Sequence, residues 1–95
     1  MKKIILVVLL ALSLQSSNVL CVDYTEKYRS SNQMSFYSFQ DGDLRQATRW
    51  AKKSLRHINR VGSECLTGNE KNDKEFLVAI DKARAAIKAR IKEWE

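Results

Sequence analysis

Ninety-five residues allow one domain at most. Seventeen Lys and Arg against eleven Asp and Glu leave the chain basic, with a net charge of +6. One histidine and two cysteines exclude a recognisable metal site, which needs several convergent ligands, and a miniprotein stapled by several disulfides.

The chain opens on Met1-Lys2-Lys3, and Ile4 to Leu12 then run without a charged or polar group. A polar stretch, Ser13-Leu14-Gln15-Ser16-Ser17-Asn18, follows. This order is the layout of a secretory signal peptide. Nine apolar residues are too few for a membrane span, which takes roughly twenty, so no transmembrane segment is expected in the mature chain. Small residues before the cut are met by Val19-Leu20-Cys21 and by Leu14-Gln15-Ser16. The reading adopted is a signal peptide over 1–21 and a mature domain over 22–95, secreted or otherwise outside the cytoplasm. Lipidation of Cys21 is the minor alternative. A cut after Cys21 leaves Cys65 alone and points either to an intermolecular disulfide, which would link a homodimer, or to a free thiol. The earlier cut leaves two cysteines for an oxidising compartment to join.

Residues 22–40 hold Tyr24, Tyr28, Phe36, Tyr37 and Phe39, interrupted by Ser30-Ser31-Asn32. Tyr24 and Tyr28 share a helical face, whereas Met34 to Phe39 fits neither helical nor alternating spacing. A short helix followed by an irregular segment is expected. Asp41-Gly42-Asp43 is a turn, and Asp43 is a good N-cap because its carboxylate can accept an orphan backbone N–H. Leu44, Ala47, Ala51, Leu55 and Ile58 recur at steps of three and four, which predicts a helix over 44–61 ending at Gly62. Residues 62–71 read as a loop. Asn72 and Glu75 have capping-box spacing. Phe76, Ile80, Ala83, Ile87, Ile91 and Trp94 form the seam of a second helix over 72–94.

The expected fold is therefore all-α: an antiparallel two-helix hairpin with a short N-terminal helix packed across it. Alanines on both stripes, Ala47 and Ala51 on one helix and Ala79, Ala83 and Ala86 on the other, would let the helices approach closely. Eight large seam side chains are too few to offset the ordering of about forty residues. A third layer is required, from residues 22–40 or from a second copy.

The most distinctive chemical feature is the polar face of the first long helix. At about 100° per residue, Arg45, Arg49, Lys52, Lys53, Arg56 and Arg60 fall on one stripe, and no acid lies between Leu44 and Val61. A one-signed stripe attracts acidic proteins, anionic lipid or phosphate-rich surfaces. Export argues against nucleic acid. Trp50 lies beside the stripe and could anchor a partner or pack against the N-terminal aromatics. His57 is expected on the surface.

Enzymatic chemistry finds no support in the motifs. His57 and Cys65 lack a third orienting group and an oxyanion loop. Asp41 and Asp43 flank a helix start, as capping residues do. There is no phosphate-binding glycine loop, and no cofactor is expected. The leading reading is a small exported helical interaction protein that binds a protein or anionic surface through its basic helix face. The alternatives are a secreted membrane-active peptide or toxin, and an enzyme-inhibitor or immunity-type protein.

Overall fold

The computed structural model describes residues 19–95, which form three helices and no strand. They are α1 (Val19–Gln40), α2 (Leu44–Glu64) and α3 (Glu70–Trp94). Residues 1–18, which carry most of the expected signal peptide, lie outside the described residues.

The turn at residues 41–43 forms as its residues dictate. Gly42 takes φ +80°, a conformation that only glycine adopts without steric cost. Its N–H donates to the Phe39 carbonyl at 3.0 Å, and the Asp43 N–H donates to Ser38 at 2.9 Å. The Asp43 carboxylate then accepts the Gln46 N–H at 3.1 Å and caps α2. So short a link brings α2 back along α1, and a disulfide between Cys21 and Cys65 ties the far ends, with Cα atoms 4.9 Å apart.

The region expected as a short helix plus an irregular segment is one continuous helix. Its inward seam is Cys21, Tyr24, Tyr28, Ser31, Ser35 and Ser38, at alternating steps of three and four. Half of that seam is serine, so apolar periodicity does not mark it. The hydroxyls remain satisfied inside the helix: Ser31 Oγ donates to the Lys27 carbonyl at 2.8 Å and Ser35 Oγ to Asn32 at 2.7 Å. Such back-bonds remove the usual penalty of burying a hydroxyl.

The facing seam of α2 is Ala47, Ala51, Ser54, Ile58 and Val61, all buried. Ser54 is wholly buried and donates to the Ala51 carbonyl at 2.7 Å. The α1–α2 interface thus consists of serines and alanines toward the turn, where two backbones can lie close, and of Tyr24, Tyr28, Ile58 and Val61 toward the bridge. It is the most extensive helix contact in the molecule.

Helix α2 runs past the expected stop. Gly62 is helical and buried, and Cys65 is the C-cap. The glycine is needed for approach instead of termination, since a Cβ there would lie 3.2 Å from Ile80 Cγ2 on α3. The ten-residue loop expected over 62–71 shrinks to 65–69 accordingly. Asn69, not Asn72, caps α3 by accepting the Asn72 N–H at 3.0 Å. Asp73 organises the loop by accepting from Thr67 N (2.8 Å), Thr67 Oγ1 (2.9 Å) and Gly68 N (2.9 Å).

On α3, Ile80 and Ile87 are buried, with Phe76, Ala83, Ile91 and Trp94 packed against the same core. Of the alanines expected to aid close packing, Ala79 and Ala86 face solvent. Among the described residues no Cα of α3 comes within 8 Å of one in α1. The two helices meet through side chains: Phe39 stacks on Trp94 at 5.0 Å, and Arg90 donates to Asn32 Oδ1 at 2.8 Å. Helix α2 is therefore the central element, with α1 on one flank and α3 on the other.

The bridge corrects the expectation for Cys65. It pairs within the chain and is 1% exposed, so it is not available for an intermolecular disulfide or a disulfide-linked dimer. The expected boundary at 21/22 falls inside α1 and would remove the partner of Cys65 from the core.

Candidate functional site

The structure divides the predicted basic stripe. Arg45, Arg49, Lys52 and Arg56 line an open groove of about 790 Å³ beside the C-terminal end of α3. Lys53 and Arg60 lie outside it, turned toward aromatic rings. The division follows from where α3 docks. It covers the side of α2 that carries Gly62 and leaves the neighbouring side, from Leu44 to Arg56, open to solvent.

The groove has an apolar floor and a cationic rim. Leu44 is 46% exposed, although its spacing placed it in the core. Leu55, also predicted as core, is half-buried and lines the groove with Trp94. The Phe39–Trp94 stack carries the apolar surface onto α1, where Phe39 is itself 46% exposed. The rim residues rise from α2 at steps of four, three and four, so they form a row over about 16 Å.

Charge at the rim is poorly balanced. Lys52 Nζ meets a Glu95 carboxylate oxygen at 2.9 Å. Among the described residues no carboxylate lies within 4.0 Å of Arg45, Arg49 or Arg56. Three guanidiniums thus border a surface of Leu44, Leu55 and Trp94.

The remaining stripe residues have local partners. The Lys53 ammonium sits over the Trp50 ring, 4.6 Å from its centroid. Trp50 is half-buried and takes no part in the groove. Arg60 pairs with Glu64 at 3.4 Å, and its guanidinium lies 5.0 Å from the Tyr24 ring centroid. Tyr24 also receives Lys27 at 5.3 Å and faces His57 at 6.4 Å. His57 is half-buried where a surface position was expected. Its pKa is lowered, first by loss of hydration and then by Lys27, Arg56 and Lys53. Both effects favour its neutral form.

Sequence reasoning missed two contributors. The seam spacing places Trp94 in the core, whereas the side chain also forms part of the groove floor. Glu95 has no apolar or charge pattern to mark it, and only the antiparallel return of α3 brings it to Lys52. Among the described residues no cluster of His, Cys, Asp and Glu could hold a metal ion, and no helix is long and apolar enough to cross a membrane. Comparisons with protein-family models, with curated proteins and with solved structures give no match for this chain.

Proposed function

We propose that this is a small exported interaction protein, without catalytic activity, that binds an anionic partner through the α2 face bearing Arg45, Arg49, Lys52 and Arg56. The observation that carries the reading is the row of three unpaired guanidiniums beside exposed apolar surface. Together they offer a partner both charge attraction and apolar area to bury. Lys53 and Arg60 contribute less, because each already has a ring or a carboxylate beside it.

Export is supported by the basic start and nine-residue apolar run at the N-terminus and by the buried Cys21–Cys65 bridge, which suits an oxidising compartment. Retaining that bridge requires a cut upstream of Cys21, for which Leu14-Gln15-Ser16 is the candidate, with the small Ser16 just before the cut. A bridged Cys21 has no thiol to lipidate, which speaks against a lipoprotein.

The test is binding of the exported protein to polyglutamate and to phosphatidylglycerol vesicles, across a salt series. Arg45→Glu, Arg49→Glu and Arg56→Glu together should abolish retention on both at unchanged helicity. Unchanged retention would refute the assignment of this face. Leakage from vesicles would favour the membrane-active alternative instead. The tight α1–α2 packing argues against that, since α2 is not free to lie in an interface.

A further inference from the structure

The groove combines an apolar floor, a periodic row of cations and one internal carboxylate, and these together narrow the chemistry of its occupant. We infer that it takes an amphipathic helical segment of an acidic partner protein. The segment would lie apolar side down on Leu44, Leu55 and Trp94, with its carboxylates against Arg45, Arg49 and Arg56. The inference rests on the reading of this face as the binding surface and adds the class of partner.

The number and spacing of the cations favour a helix over a single-headed amphiphile. One carboxylate or phosphate head can engage one or two rim residues and leaves the others unpaired. Acids repeated at helical spacing present one charge per turn, about 5.4 Å apart, and match a row that itself climbs a helix at steps of four, three and four. The floor is open along this row, as expected for a groove that receives the side chains of a helix at i, i+3 and i+4. Glu95 shows that the rim accepts a carboxylate at ion-pair distance, 2.9 Å from Lys52. It is also the sole acid among the residues lining the groove.

The experiment titrates the exported chain with two synthetic peptides of equal composition. One places leucines on a single helical face flanked by glutamates, and the other is its scramble. Phosphatidylglycerol vesicles are the third ligand. A Trp50→Phe background leaves Trp94 as the sole indole reporter in the described domain. The patterned peptide should bind at least about tenfold more tightly than the scramble and shift Trp94 emission to the blue. Arg49→Glu with Arg56→Glu should remove that binding with the circular dichroism spectrum unchanged. Lys71→Glu with Lys88→Glu, the same change in net charge on exposed positions outside the groove, should not.

Equal binding of both peptides would overturn the inference while leaving a general anionic face intact. So would binding of vesicles and neither peptide. If neither the peptides nor the vesicles bind, the reading of the face falls with it.

Discussion

Lys52 and Glu95 meet at 2.9 Å across the mouth of the groove, joining the middle of α2 to the last turn of α3. Both side chains are about half exposed, so the pair contributes at most about 1 kcal/mol to stability. Its consequence is for binding, because it occupies one rim cation. Glu95→Gln should therefore leave the melting temperature nearly unchanged and tighten binding of an acidic helical peptide several-fold. Calorimetric titration at low and moderate salt would measure it, and the gain should shrink as salt screens the rim.

The Cys21–Cys65 bridge closes a sequence separation of 44 residues, and chain entropy alone assigns such a loop about 4 kcal/mol. The interface it secures joins serines and alanines near the turn to Tyr24, Tyr28, Ile58 and Val61 beside the bridge. Cys21→Ser with Cys65→Ser should cost about 2–4 kcal/mol in urea unfolding. Non-reducing electrophoresis of the unmodified chain should run as a monomer. A band at twice the mass would contradict the intramolecular pairing.

Gly62 on α2 and Ile80 on α3 meet closely, with no room for a Cβ at Gly62 unless Ile80 shifts. Gly62→Val should cost about 1–3 kcal/mol through overpacking, even though it replaces a glycine inside a helix. Chemical denaturation would detect the loss, and Ile80→Ala in the same background should recover part of it. No recovery would show that the cost lies elsewhere.

Arg90 reaches from α3 to α1. It donates to Asn32 and lies 4.4 Å from the Phe36 ring centroid, and its Nη1 is buried without a hydrogen-bond partner. Arg90→Ala should destabilise by about 1–3 kcal/mol, since Asn32 loses its donor and Phe36 its cover. Arg90→Met keeps the apolar stem and removes the unsatisfied nitrogen, and thermal unfolding should show a smaller loss.

Two groups set the response to acid, and both have lowered pKa values. Asp73 is depressed first by the Thr67 N–H bond, with further help from the Thr67 hydroxyl and the Gly68 N–H. His57 is depressed by lost hydration and neighbouring cations. A lowered folded pKa means the group contributes stability above its ordinary value and loses it as pH falls through the folded one. The wild type should lose stability in two stages, below pH 6.5 for His57 and below the ordinary carboxylate range for Asp73. His57→Gln should remove the first stage, and Asp73→Asn should differ from wild type at pH 7 and converge with it at the acid end. Melting temperatures across pH 2–8 would separate the two.

The sequence by itself determined the helical class, the Asp43 cap, the seam of α3 and the one-signed charge of residues 44–61. Each depends on residues within one or two turns of each other, so local spacing is sufficient. Only the tertiary structure decided the rest. Helix α1 buries serines, whose hydroxyls bond to their own backbone and leave no apolar period to read. Gly62 looked like a stop because its role, making room for Ile80, belongs to another helix. Cys65 looked solitary because its partner lies across the adopted cleavage boundary. The groove exists because α3 docks at Gly62 and crosses back to Lys52, so that Leu44, Leu55 and Trp94 form a floor instead of closing a core. Which face of an amphipathic helix is covered depends on where its neighbours lie, and its own periodicity does not contain that information.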